Sequence, residues 1–499
     1  MNKIIAFIIM AVLCFSLLVS CADKPADTTA DSSTADTDAV TDEGNKDSLV
    51  IDETKLDGYV YTVLVAGNID YKHGTQHYGN DFYYDETSID VLSIAKQKWV
   101  KTAEQKFDIT IEVVEKLKFG DAKGSGQGFK ALQLSTTSDD AMYDHCMIAA
   151  YDVCNAARNG YLTDLNELEY INLNNSWWDQ VANKDLNIQN KMYYTTGDIS
   201  VIDNVFTHAV FFNKEMIKSK NLDNPYDYVK NNTWTLDNFA TLVKAGSDTA
   251  GEGLKEEEKV YGLLTWNDSM LQIMAAGDER IATVDDSGNL TYTMYNTRTQ
   301  TLYDKFTDLA LNNAYSVNYQ VLASSGWDSL RKEIFDSNRA LFYLNLLSTT
   351  THHRDTETDF GILPYPKLDE TQENYGHLIS SFHTEFFAVP FRHYSSNITG
   401  SVAEYLAAKG QQITKPAYYD DTLIGKHIRD DESAEMLDII FASRVYDVGA
   451  YYSVGNITSR LGSLYKNTTL TFQQIHNESG QMAAATINAI NTQFMDFED

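Results

Sequence analysis

The run Tyr59-Val60-Tyr61-Thr62-Val63-Leu64-Val65-Ala66-Gly67-Asn68 is apolar, rich in β-branched residues and ended by glycine. That is the pattern of a strand buried on both faces of a sheet. An aromatic, polar loop (69–87) follows it. Thr87-Ser88-Ile89-Asp90 then opens a helical pattern whose apolar positions are Val91, Ile94, Ala95, Trp99 and Ala103, a spacing of three and four residues. Phe107 to Val114 reads as a second strand. Strand, helix, strand over this length predicts a crossover unit in an α/β sheet.

The pattern recurs outward from there. Strands are expected at Asp144 to Ala149, Val205 to Phe212, Val260 to Leu264, Ala340 to Leu344 and Phe360 to Pro366. Val153 to Asn159 reads as a short helix stopped by Gly160, and Asn213 starts another. Thr233-Trp234-Thr235-Leu236-Asp237-Asn238-Phe239 carries a capping threonine before a helical run. Further helices are expected at 299–313, 326–336, 397–409, 432–444, 457–465 and 478–495. No internal repeat is present.

Toward the N-terminus, Lys3 precedes an uncharged, mostly apolar run from Ile4 to Val19, and Leu18-Val19-Ser20-Cys21 has the shape of a lipobox. The run is short for a membrane span and placed as a secretory signal is. Its resemblance to bacterial lipoprotein signals implies cleavage before Cys21 and lipidation of that thiol. Ala22 to Val50 has eight acids, two lysines and no aromatic residue, too little apolar surface to offset its ordering entropy. It reads as an acidic flexible linker.

The remaining residues exceed what one compact core holds, so two lobes are expected. With 39 Lys and Arg against 71 Asp and Glu the formal charge is −32. This argues against nucleic acid as a partner, since nothing in the sequence offers the dense basic patch that phosphates require. It also sets the surface against anionic lipid, leaving the N-terminal lipid as the membrane contact. Beyond Cys14 and Cys21 only Cys146 and Cys154 remain. They read as one disulfide or as two small core residues, the second being favoured. No paired CxxC motif points to zinc. His352-His353 with His383 and Glu385 are metal-capable types without the helical spacing of a zinc site, so surface or hinge roles are expected and no metal or cofactor is assigned.

Several segments, in this order, resemble the extracellular solute-binding proteins of bacterial ABC importers, and within them the sugar-binding, maltose-binding-protein-like lipoproteins. Asp144 to Leu165, ending Asn159-Gly160-Tyr161-Leu162-Thr163-Asp164-Leu165, is similar to the family's strand, ligand loop and helix. Phe211-Phe212-Asn213-Lys214-Glu215-Met216 resembles its LFYNK segment. Asn232 to Phe239 resembles its P-x-TWDEF segment without the adjacent proline. Asn338-Arg339-Ala340-Leu341-Phe342 resembles GKAAM, with Asn for Gly. Gly361 to Pro366 and Ala388-Val389-Pro390 resemble the return into the first lobe. The resemblance implies a two-lobed periplasmic-binding-protein-like α/β fold with hinge strands and a central ligand cleft. Carried over, lobe 1 holds 51–205 and 358–410, and lobe 2 holds 206–357 and 411–499.

Open sheets bind ligands beyond the C-terminal ends of their strands. That rule nominates Asn68, Asp81 and Tyr83 after the first strand, and Tyr151 and Asp152 after the strand at 144–149. It nominates Trp266, Asn267 and Asp268 after 260–264, and Asn345 after 340–344. Tyr452 and Asn456 fall near the family's late stacking aromatic. Trp177 and Trp178 read as packing between segments. The 31 Tyr and six Trp fit sugar recognition, in which aromatic faces meet C–H faces and planar polar groups meet hydroxyls.

The function expected is a substrate-binding lipoprotein of an ABC importer, anchored on the extracytoplasmic face of the cell membrane. It would capture a mono- or oligosaccharide and pass it to permease transmembrane subunits. The resemblance implies a monomer and no catalysis. The alternatives are a binding protein for a peptide or other nonsugar solute, and an exported glycoside hydrolase, which chance carboxylate pairs leave open.

Overall fold

The computed structural model describes residues 47–66, 80–116, 126–248, 255, 258–323, 326–353, 356–428 and 430–496. The signal segment with Cys21, most of the linker, and Gly67 and Asn68 lie outside them. Two main sheets carry the fold, and a small antiparallel pair joins β6 (Ala282–Val284) to β7 (Leu290–Tyr292). The first joins β1 (Tyr59–Ala66), β2 (Ile109–Glu115), β3 (His145–Ala149) and β12 (Glu385–Ala388) in the order β12-β3-β1-β2. β1 is parallel to β2, with Tyr59 opposite Ile109, and parallel to β3, with Val63 opposite His145. β12 closes the edge antiparallel to β3, with Ala388 opposite Cys146.

The helix between β1 and β2 runs Val91–Phe107. Asp90 caps it by accepting from Ser93 N, and Asp108 ends it in the left-handed region at φ 57°. Its buried stripe includes Leu92, Ala95, Trp99, Ala103 and Phe107, close to the face the spacing predicts. Trp99 Nε1 donates to Leu406 O at 2.8 Å, tying this helix to Ser396–Gln412.

The second sheet joins β4 (His208–Asn213), β5 (Tyr261–Thr265), β8 (Ser316–Asn318), β9 (Ala340–Leu346) and β10 (Phe360–Leu363) in the order β10-β4-β9-β5-β8. β5 is parallel to β8 and β9, whereas β4 is antiparallel to β9 and β10. All five strands are buried throughout, which is why all but β8 read as largely continuous apolar runs rather than alternating ones. Gly262 sits where the helix Leu236–Gly246 crosses β5. A Cβ there would lie 1.8 Å from Val243 O, so only glycine admits that approach.

Three segments that connect the sheets run side by side. β11 (His377–Leu378) pairs in parallel with β13 (Arg444–Val445), and Thr207 bridges Ile379. Ile379 N donates to Val445 O at 3.0 Å, and Ser380 N to Phe206 O at 3.1 Å. A buried ion pair reinforces the junction. Arg444 reaches Asp179 at 2.5 Å and Asp203 at 3.2 Å, with Asn204 Oδ1 at 2.7 Å.

Trp177 and Trp178 are packing residues, as expected. Both indoles donate to the buried Glu404, at 3.0 and 2.8 Å. Cys146 and Cys154 are free and buried, with Sγ atoms against Ala388 O and Tyr194 Oη. The eleven-residue π-helix Ala417–His427 has no counterpart in the sequence reading. Residues 47 and 48 hydrogen-bond Asn175 and Ser176, so the last stretch of the linker meets the folded part. No helix among the described residues is long and apolar enough to cross a membrane.

Candidate functional site: an aromatic cavity at the strand ends

Because β5, β8 and β9 are parallel, their C-terminal ends emerge on one side of the second sheet. A cavity of about 550 Å³ lies there. Its wall is completed by Tyr151 after β3, by Phe206 and Ser381–His383 from the connecting segments, and by residues 458–466. The site is therefore assembled from both sheets and from the segments between them.

Trp266, Asn267 and Asp268 leave β5 and lead into the helix Ser269–Ala276. Trp266 N donates to Ser269 Oγ at 3.1 Å and Asn267 N to Gln320 Oε1 at 2.9 Å, which fixes the turn. The Trp266 indole is 5 % exposed and lies stacked on His208, centroids 5.5 Å apart at 29°. Its Nε1 has no partner among the described residues. His208 is buried with neither ring nitrogen bonded to a described residue, and burial holds its pKa down to about 3. The ring behind the indole is thus neutral.

Tyr151 stands in the first turn of Ala150–Arg158, its hydroxyl 3.0 Å from Ser381 Oγ. Burial pushes its pKa up, so it remains a phenol. Asn345, at the end of β9, donates its amide to Tyr319 Oη at 3.1 Å and Tyr343 Oη at 2.6 Å. Its amide N–H groups serve the wall.

On the same stretch of wall, Trp327 and Arg331 project from the helix Trp327–Asp336. The Arg331 guanidinium lies 5.8 Å from the centroids of both Tyr319 and Trp327, within cation–π range. Nε donates to Asp328 Oδ1 at 2.7 Å, and further N–H groups reach Tyr343 Oη, Thr349 Oγ1 and His352 Nδ1. The charged lining is balanced: Asp268 and Asp328 against Arg331 and Lys466.

Of the nominated residues, the structure brings Trp266, Asn267, Asp268, Tyr151 and Asn345 together around this cavity. Others lie elsewhere. Asp152 follows Tyr151 by about 100° of helix and accepts from Gly126 N and Phe129 N at the start of Gln127–Thr137. Asp81 is buried, bonded to Ser200 Oγ at 2.6 Å and Val201 N at 3.2 Å, with Lys96 at 3.8 Å. Tyr83 is half exposed and borders a smaller depression of about 240 Å³ beside β2. Tyr452 packs between Tyr194 and Phe494. Asn456 is an exposed, left-handed N-cap of Ile457–Ser463. Asn68 lies outside the described residues.

Trp327, Arg331, Tyr319 and Phe382 also line the cavity without having been nominated. His352 and His383, expected in surface or hinge roles, line it too, His383 from a segment that connects the sheets. His353 is buried and pairs with Asp336 at 2.6 Å. No group of three or more metal-ligating side chains occurs among the described residues.

The walls are aromatic, and the polar groups are amides, hydroxyls and imidazoles, with two carboxylates balanced by Arg331 and Lys466. Such a lining suits an uncharged ligand with apolar faces and many hydroxyls.

No protein-family model matches the chain, and no curated protein matches it in sequence. Solved structures do match its fold. A cyclo/maltodextrin-binding protein complexed with maltotetraose superposes at TM-score 0.57 and 14 % identity, covering 87 % of this chain and 98 % of that one. An ABC substrate-binding protein from Listeria monocytogenes in complex with cycloalternan gives 0.53 and 14 %, covering 90 % and 100 %. A family 1 extracellular solute-binding protein from Bifidobacterium longum subsp. infantis gives 0.52 and 13 %, covering 88 % and 100 %. At such identities the likeness establishes architecture, and the chain has the two-lobed periplasmic-binding-protein-like fold that these solute-binding proteins share.

Proposed function

We propose that this protein is the substrate-binding lipoprotein of an ABC importer, capturing a saccharide between two lobes and passing it to a membrane permease. The observation that carries the reading is the cavity itself. Aromatic walls with balanced charge stand at the parallel strand ends, against the segments that connect the sheets. The neighbours bound to maltotetraose and cycloalternan support a carbohydrate ligand. Lobe 1 comprises 51–205 and 358–410, and lobe 2 comprises 206–357 and 411–499. Closure bends the three adjacent segments at Thr207, Ile379 and Val445 and removes the bound ring from water.

Trp266, Asn267, Asp268, Tyr151 and Asn345 form or brace the binding wall in this reading. Asp81, Asp152 and Tyr452 hold the frame. The protein works as a monomer without chemistry on its ligand. Cys21 carries the lipid that holds it on the extracytoplasmic face. A thermal-shift screen of the form starting at residue 47 tests the proposal against mono- and oligosaccharides, amino acids and peptides. A ligand that binds only the native state raises the melting temperature once its concentration passes the dissociation constant. A rise with a saccharide class supports the reading. A rise with peptides alone replaces the substrate, and turnover of a chromogenic glycoside replaces binding with hydrolysis.

A further inference from the structure

We infer that His352 is a ligand-contacting hydrogen-bond donor of this cavity, presenting Nε2–H in a tautomer that Arg331 fixes. The inference rests on the cavity being the binding site. Arg331 NH2 lies 2.8 Å from His352 Nδ1. A guanidinium has donors and no acceptor, so Nδ1 must offer its lone pair. The ring proton is then on Nε2, and no described residue bonds that nitrogen. His352 is half buried on the cavity wall.

The guanidinium is itself held in place. It is 6 % exposed, and its N–H groups are directed to Asp328 Oδ1, Tyr343 Oη, Thr349 Oγ1 and His352. Tyr319 and Trp327 each lie 5.8 Å from it. Arg331 is therefore a positioning residue committed to the wall, not an anion-binding one. The groups acting electrostatically on His352 are Arg331, Asp328, His353 and Lys332. Burial, followed by Arg331, holds its pKa down to about 4. A ligand meets the same neutral donor across the pH range in which an ordinary histidine changes charge. The partner on the ligand is an acceptor oxygen, a hydroxyl or ring oxygen of an uncharged sugar.

The test joins two measurements. Nitrogen-resolved NMR of the ligand-free protein between pH 5 and 8 reads the tautomer of His352, assigned with His352→Phe. Isothermal titration then uses whichever of glucose, galactose, xylose, cellobiose or maltotetraose gives the largest thermal shift, with glucuronate alongside. The expected result is a neutral Nε2–H ring throughout. Affinity should fall about tenfold in His352→Phe, as for loss of one donor to a buried acceptor. It should be partly retained in His352→Gln, whose amide N–H stands near the Nε2 position. An Nδ1–H tautomer overturns the inference, as does glucuronate binding more tightly than the neutral sugar. Undiminished affinity in a folded His352→Phe overturns it while leaving the saccharide reading intact. Absence of any saccharide binding by the wild-type protein overturns both.

Discussion

Trp327→Ala separates a residue that meets ligand from one that only supports the wall. Trp327 is half buried at the cavity, with Arg331 5.8 Å from its ring and Tyr319 5.9 Å away. A half-buried indole offers a ligand on the order of 60 Å², or about 1.5 kcal/mol at ~25 cal/mol per Å². Loss of the contact that orders Arg331 adds ~0.5 kcal/mol. The sum, about 2 kcal/mol, is a roughly thirtyfold loss of affinity. Trp266 is the contrasting case. Only 5 % exposed and stacked on His208, it has little area left for a ligand to cover. Trp266→Ala should destabilise the fold by ~3–5 kcal/mol, as large-to-small core changes do. It should also weaken binding at least about tenfold by deforming the wall. Titration calorimetry with the saccharide chosen by thermal shift, beside denaturant unfolding of each variant, reads both quantities. Unchanged affinity in a folded Trp327→Ala would refute the placement of ligand against that helix.

Three other outcomes follow from buried groups. His208 has its folded pKa depressed to about 3 by burial, so its stability contribution is complete above about 6.5 and is lost as pH falls toward 3. His208→Phe should flatten the acid side of the stability–pH curve by up to ~1.4 kcal/mol per pH unit in that window, and an unchanged slope would show that the ring is not buried neutral. Arg444→Met leaves Asp179 and Asp203 unpaired at the junction and should cost ~3–5 kcal/mol, measured by denaturation. The added change Asp203→Asn should recover part of that loss, since burial already pushes the Asp203 pKa up to about 6. Cys146 and Cys154 are free, buried thiols with pKa values raised by burial. Iodoacetamide should leave both unmodified in the native protein from residue 47 and alkylate both after unfolding, read by mass.

Most strands are legible because they are buried on both faces. β1, β3, β5 and β9 stand in the sequence as unbroken apolar runs, and the caps at Asp90 and Thr235 mark where helices start. β8, at three residues, is too short to leave a periodic signal. The π-helix Ala417–His427 has no repeat that local spacing reveals. In the site, the strand-end rule found Trp266–Asp268, Tyr151 and Asn345, since topology alone carries those residues to the cavity. Trp327, Arg331 and His352 lie on a helix face and after a short turn. Which way they point is set by packing against Tyr319 and Tyr343. Asp81 and Asp152 show the converse. A carboxylate that caps a helix or receives backbone N–H groups is the same letter as one that meets a hydroxyl, and only the fold distinguishes them.

A crystal structure of the protein with the best-shifting saccharide shows directly where the ligand sits. A sugar ring is expected in the cavity between Trp327 and Tyr151, with His352 Nε2 within hydrogen-bond distance of a ligand oxygen. The two sheets should be rotated toward each other about Thr207, Ile379 and Val445. A saccharide bound outside this cavity, or a cavity left to solvent while binding in solution is saturated, would contradict that placement.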